Sequence, residues 1–174
     1  MREFSNYWKA LTYAAQTHGS TLRKDQKTPY IVHPLRITAI LRAAGFTENV
    51  NEELMIAALF HDIVEDTNTS IEEIKIKFGK KVASIVDELT IPKSKNKEVF
   101  LKSLKHASKE AKLIKLADRI DNLMDLSIDS WSEKKKRSYA EQARIILKSC
   151  GDAHSELASI LKKEIEKTLN LLLK

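Results

Sequence analysis

The sequence predicts an all-α protein, a bundle of about eight or nine helices. Three observations carry that expectation. Apolar residues recur every three to four positions through most of the 174 residues. No run alternates with period two for long enough to claim a strand. Glycines 19, 45, 79 and 151 each follow an amphipathic stretch, and prolines 29, 34 and 92 fall between stretches, as helix punctuation requires.

The elements follow in order. Phe4, Tyr7, Trp8, Leu11, Ala14, Ala15 and His18 form a first stripe, in which both Trp8 and, further on, Trp131 are expected to serve packing. Leu35, Ala39, Ile40 and Ala43 form a second, and Leu54, Ala57, Ala58 and His61 a third. Thr69-x-x-Glu72 and Ser70-x-x-Glu73 both read as a capping box opening a short helix that ends at Gly79. Val82, Ile85, Val86 and Leu89 come next, before a loop at Ile91 to Lys97. Leu113, Leu116, Ala117, Ile120 and Leu123 make the following stripe. Tyr139, Ala143 and Ile146, then Leu157, Ile160, Leu161, Ile165 and Leu169, close the series. No repeat or linker divides the chain, so residues 1–174 are expected to form one domain.

Composition narrows the function. Cys150 is the only cysteine and cannot form an internal disulfide. Residues 1–6 lack the apolar stretch of a signal peptide, and the longest apolar run, Met55 to Phe60, is far too short to span a bilayer. A cytoplasmic protein with no membrane partner is expected. Lys+Arg number 30 against 24 Asp+Glu, a net charge of +6. That excess resides between Pro92 and Lys115, where eight lysines face two acids. Such a stretch is either a solvated helix face or an attractor for an anionic ligand. No arginine is interleaved with the lysines, which disfavours a nucleic-acid partner.

Chemistry concentrates where a helical core should be apolar. Tyr30-Ile31-Val32-His33-Pro34, His61-Asp62-Ile63-Val64-Glu65-Asp66-Thr67 and Lys115-Leu116-Ala117-Asp118-Arg119-Ile120-Asp121-Asn122 each embed ionisable groups in apolar surroundings. Read as one helix end, the second places His61 with Glu65, and Asp62 with Asp66, on neighbouring turns. Burying such groups needs a counter-charge, and a divalent cation supplies one. His33, His61, Asp62 and Asp118 would give two imidazoles and two carboxylates; without a thiolate, Mn2+ suits the set at least as well as Zn2+. A satisfied core histidine, a surface Asp118–Arg119 ion pair and a charged helix end are the alternatives for these residues taken singly.

Together, Arg23-Lys24, Thr28-Pro29-Tyr30-Ile31-Val32-His33-Pro34, His61-Asp62-Ile63-Val64-Glu65-Asp66-Thr67 and Lys115-Leu116-Ala117-Asp118-Arg119-x-x-Asn122 resemble the HD-domain hydrolase of the Rel/SpoT alarmone enzymes. Phe78-Gly79, followed by Val82 and Val86-Asp87-Glu88-Leu89-Thr90, fits the same pattern, and the stretch from Asn122 through Ser130-Trp131-Ser132-Glu133 is most similar to the stand-alone small alarmone hydrolases of that family, the metazoan branch included. The resemblance spans about residues 4 to 170 and implies a single HD-domain bundle. It further implies Mn2+-dependent removal of the 3′-pyrophosphate of ppGpp or pppGpp, giving GDP or GTP and pyrophosphate. On that basis His33, His61, Asp62 and Asp118 match metal ligands, and Glu65 and Asp66 an acidic pair handling water and protons. Asn122 matches a residue near the ribose and phosphate, and Arg23 and Lys24 basic residues of the nucleotide pocket. Lys115 is the candidate from the lysine-rich stretch for binding substrate.

The chain departs from the long Rel enzymes at Asp121, where histidine is common, and at Asp125, where threonine is common. Its Asp25-Gln26-Lys27 loop lacks an expected glycine. These departures leave open another phosphorylated nucleotide, such as an adenine alarmone or the 2′-phosphate of NADPH, or a non-catalytic nucleotide sensor.

Overall fold

The structure is a computed structural model and describes residues 5–125 and 132–171. Among these residues, nine helices of seven or more residues and one single helical turn account for the fold: α1 Ser5–His18, α2 Val32–Ala43, α3 Glu52–Leu59, α4 Ile63–Asp66, α5 Ile71–Phe78, α6 Lys80–Leu89, α7 Lys97–Ser103, α8 Lys109–Met124, α9 Glu133–Cys150 and α10 Ser155–Leu171. An isolated antiparallel bridge between Leu22 and Pro29 is the one β feature among the described residues. Trp131 lies outside them.

The most apolar segment becomes the centre. Leu54 to Phe60 are buried on all sides, with α1, α2, α6 and α8 packed around α3. α8 is the second pillar and touches α2, α3, α6, α9 and α10. Its Leu113, Leu116, Ala117, Ile120 and Leu123 enter the core as the periodicity predicts. α5 opens on Ser70, whose hydroxyl accepts from the Glu73 N–H at 3.1 Å, and stops at Gly79, where φ is +94°. Thr69 is not the cap; it is buried and donates its backbone N–H to Thr67 Oγ1.

Several expectations need correction. Trp8 is 58% exposed, so the buried face of α1 is Tyr7, Ala10, Ala14 and His18. In α2 the buried face is His33, Pro34, Ile37, Thr38 and Leu41, while Ala39 and Ala43 face solvent. The apolar count misassigned that helix because its inward face begins with a histidine. Pro34 lies within the first turn of α2, where its missing N–H costs no hydrogen bond. Gly151 is right-handed (φ −63°), so the left-handed terminator expected there is not used. His154 is half-buried at the start of α10, its Nδ1 accepting from the Leu157 N–H.

A candidate metal and phosphate site

The metal-ligating groups arise from a helix break. Continuing α3 would place His61 and Glu65 on one helix, but helical geometry stops at Leu59 and resumes at Ile63. His61 Nδ1 bonds the Ala58 carbonyl at 3.1 Å. A carbonyl only accepts, so Nδ1 carries the proton and Nε2 presents its lone pair. His33 is oriented the same way from α2: its Nδ1 lies 2.6 Å from Asp121 Oδ2, and a carboxylate likewise only accepts. The two imidazoles sit edge to face, 4.9 Å between ring centres.

Between them comes Asp118 from α8. Its Oδ1 is 3.4 Å from His33 Nε2 and 4.0 Å from His61 Nε2, and one donor atom from each of the three residues lies within 4.8 Å of the others. Two lone-pair nitrogens and a carboxylate, all buried and converging, form a set that a divalent cation completes. The electrostatics agree. Burial opposes a charge on His33, but Asp118 and Asp121 overcome it and raise its pKa, so the site favours a positive charge at that ring. Burial lowers the pKa of His61, keeping it neutral. Burial also works against the Asp118 carboxylate, yet Lys115, His33 and His61 hold its pKa well below the usual range. Asp62, the fourth expected ligand, stands beside this trio: its Oδ2 is 3.2 Å from His61 Nε2 and accepts from the Tyr30 hydroxyl. Its Oδ1 is 3.7 Å from Nε2 of the buried His18, whose ring rests on Tyr30.

These groups floor a cavity of about 480 Å³. One wall is acidic, with Glu65 and Asp66 of α4. Burial, the larger cause for each, raises both carboxyl pKa values, and Asp62 raises that of Asp66 further. Glu65 Oε1 accepts the Ile91 N–H at 2.9 Å, so the loop after α6 anchors it. The same cavity is also lined by Arg23, Lys24, Lys97, Lys115 and Arg119. Lys115 pairs with Asp118 Oδ2 at 2.9 Å, and Asn122 donates to the same carboxylate. Arg23 is fixed by Asp125 Oδ2 at 2.8 Å and Asn122 Oδ1 at 3.4 Å. Lys24 stands 5.8 Å from the Tyr139 ring centre.

All ten expected site residues therefore line one cavity, although they come from four separate stretches of chain. The loop bearing Arg23 and Lys24 achieves its turn without glycine. Gln26 adopts φ +59°, and the Asp25 carboxylate accepts from the backbone of Lys27 and Thr28 and from the Thr28 hydroxyl. Those bonds lower the Asp25 pKa to about 2, the Thr28 hydroxyl contributing most. The lysine-rich stretch is no uniform face: Lys112 is buried against Asp152, Lys115 is in the cavity, Lys97 is at its mouth, and Lys93, Lys95, Lys102, Lys105 and Lys109 are exposed.

Sequence reasoning missed four residues. Tyr30 holds Asp62, and burial raises its pKa, so it stays a neutral donor. Arg36 reaches Asp121 Oδ1 at 2.5 Å and Asp125 Oδ1 at 2.6 Å. Arg119 is buried with its guanidinium carbon 3.8 Å from the Tyr139 ring centre, and both residues line the cavity. Two signals were available: Asp121 interrupts an apolar stripe and so demands a cationic partner, and Arg119 lies beside a candidate ligand on the same helix.

A helical bundle that aims histidine and aspartate ligands into a cavity lined by carboxylates and cations is an HD-type arrangement, and the comparisons agree. The HD domain family model matches residues 10–149. The chain is 40% identical over 158 residues to a guanosine-3′,5′-bis(diphosphate) 3′-pyrophosphohydrolase, MESH1, of Xenopus tropicalis, covering 86% of this chain and 87% of that protein. Against the human MESH1 it is 37% identical over 169 residues, covering 92% and 93%. A solved structure described as a metazoan orthologue of SpoT that hydrolyses ppGpp superposes with a TM-score of 0.86 at 33% identity, covering 94% of this chain and 95% of that one. The chain belongs to the HD-domain family and, within it, to the MESH1 group.

Proposed function

We propose that the chain, acting as one domain over residues 1–174, is a cytoplasmic Mn2+-dependent hydrolase of ppGpp and pppGpp. It releases pyrophosphate from the 3′ position and leaves GDP or GTP. The observation that carries this reading is the convergence of His33, His61 and Asp118 in a cavity lined by both carboxylates and cations. The names of the MESH1 relatives support the substrate.

A divalent ion held by His33, His61 and Asp118, with Asp62 adjacent, would supply Lewis-acid polarisation of a phosphoryl oxygen and lower the pKa of water. The chain's own residues do the rest. The water oxygen bonds to the phosphorus attached to the 3′-oxygen, the O–P bond to the ribose breaks, and the 3′-oxygen takes up a proton. Glu65, anchored through Oε1, and Asp66 take the proton from water and return one to the 3′-oxygen. Burial raises the pKa of both, which makes each a better proton acceptor than a solvent-exposed carboxylate. Arg23, locked by Asp125 and Asn122, presents a fixed guanidinium to the nucleotide, and Lys24 and Lys115 offset phosphate charge. Asp125 does not oppose an anionic substrate, since both its oxygens are paired with arginines.

The test is product analysis. Metal-stripped protein, with and without added Mn2+, is incubated with ppGpp, pppGpp, a 3′-phosphorylated adenine nucleotide and NADPH. Pyrophosphate with GDP or GTP, formed only when Mn2+ is present, is expected. Orthophosphate from another substrate alone would refute the alarmone assignment, and inertness of metal-loaded protein toward all four would refute catalysis.

A further inference from the structure

Arg119 poses a physical problem that the metal chemistry leaves unsolved. It is only 2% exposed, and among the described residues no carboxylate lies within ion-pairing distance of it. Its one hydrogen bond, from Nη1 to the Tyr139 carbonyl, is long at 3.4 Å, and its buried Nε has no partner. A guanidinium has five N–H donors and stays charged, and burying such a group without an anion is costly. The Tyr139 ring under it offsets part of that cost and holds the plane in place. Lys97 stands 6.0 Å from the centre of that ring at the cavity mouth, also without a carboxylate within ion-pairing distance among the described residues. Three cations thus meet at one aromatic ring on the cavity wall, Arg119, Lys97 and the nucleotide-pocket candidate Lys24, while the neighbouring Lys115 is already committed to Asp118.

We propose that Arg119 and Lys97, braced by Tyr139, form a subsite for the distal phosphoryl group of the substrate's 3′-pyrophosphate. The inference rests on the phosphohydrolase reading and adds a cause of selectivity. A monophosphate ester places its single phosphoryl group at the metal trio and leaves this subsite empty. A pyrophosphate ester fills both and supplies the anion Arg119 lacks. The same geometry makes free pyrophosphate a product that binds well and orthophosphate one that binds poorly.

Inorganic pyrophosphate and orthophosphate are the probes. Each is titrated by calorimetry onto the full-length chain at fixed ionic strength, with and without Mn2+. Pyrophosphate is expected to bind at least about tenfold more tightly than orthophosphate, since a charge-assisted hydrogen bond contributes on that scale. Arg119→Met and Lys97→Gln should each shrink that ratio toward one while leaving Mn2+ affinity unchanged. Lys97 opens α7 on the surface, so its variant tests the subsite even if the buried Arg119→Met destabilises the fold. Equal binding of the two anions by the unmodified chain, or full selectivity in Lys97→Gln, would overturn the proposal. Selectivity that depends on Arg119 and Lys97 in a protein inert toward ppGpp would keep the subsite and remove the alarmone substrate. Turnover of ppGpp with unaltered pyrophosphate inhibition in both variants would do the reverse.

Discussion

Replacing Arg36 with leucine tests how the metal ligand His33 is held. Asp121 is wholly buried, and its carboxylate has three nitrogen neighbours: His33 Nδ1–H at 2.6 Å and two guanidinium groups, Arg36 Nε at 2.5 Å and Arg23 Nη2 at 3.7 Å. Removing one partner of a fully buried ion pair costs about 3–5 kcal/mol. Here the Arg36 side chain is 38% exposed and Arg23 remains, so solvent screening reduces the expected loss to about 2 kcal/mol. For a chain of this size that lowers Tm by about 4–8 °C. The second consequence is chemical. With Arg36 gone, the uncompensated Asp121 draws a proton onto His33, raising further a pKa that Asp118 and Asp121 already raise against burial. Proton and metal compete for Nε2, so Mn2+ affinity should fall by about ten- to a hundredfold, more at pH 6 than at pH 8. Arg36→Lys, which keeps the charge but loses the fork to Asp125, should fall between. Calorimetric Mn2+ titrations at the two pH values, beside a thermal melt, provide the readout. Unchanged metal affinity, or a loss independent of pH, would refute the reasoning.

Three other expectations follow from the same geometry. Glu65→Gln should keep Mn2+ affinity within about twofold yet lose a factor of about 100 or more in kcat, checked by titration and product release. The acid limb of kcat/KM should lie above the ordinary carboxylate range. The base form is lost as pH falls through a pKa that burial raises at both Glu65 and Asp66, and a plateau extending down to about pH 4.5 would contradict this. Asp25→Ala should raise KM while changing kcat little, because it releases three bonds that hold the Arg23–Lys24 turn. Adding Gln26→Gly should recover part of the loss by removing the strain of φ +59°. The contribution of Asp25 to stability is present above its unfolded pKa and is lost as pH falls through the folded value of about 2.

Most of the fold was legible because helical cores are written locally. The stripes of α6, α8 and α10 enter the core where the 3.6-residue period puts them, with Ile160 of α10 left partly exposed. α2 was misread because its inward face is chemical: His33 occupies a position that apolar counting assigns to solvent. The break at Phe60–Asp62 escaped for a different reason. Leu54 to Ile63 contains no glycine or proline, and a histidine side chain bonds the Ala58 carbonyl beside the break. The site residues could be read from the sequence because polar groups inside apolar stripes need a shared purpose. Their partners could not, since Arg36 with Asp121 and Lys97 with Tyr139 pair across tens of residues.

The departures at Asp121 and Asp125 acquire a physical meaning in that network. Asp121 adds a negative charge on α8 and Asp125 one at its C-terminal cap, and each is matched by arginines from elsewhere: Arg36 from α2 bridges both, and Arg23 from the loop reaches both. One set of ion pairs therefore positions a metal-ligating imidazole at one end and a nucleotide-facing guanidinium at the other. Arg119, on α8, is the contrasting case, a buried cation with no carboxylate in ion-pairing distance among the described residues. Where this chain can complete its charges internally it orients ligands, and where it cannot, it leaves a place for the substrate's phosphate.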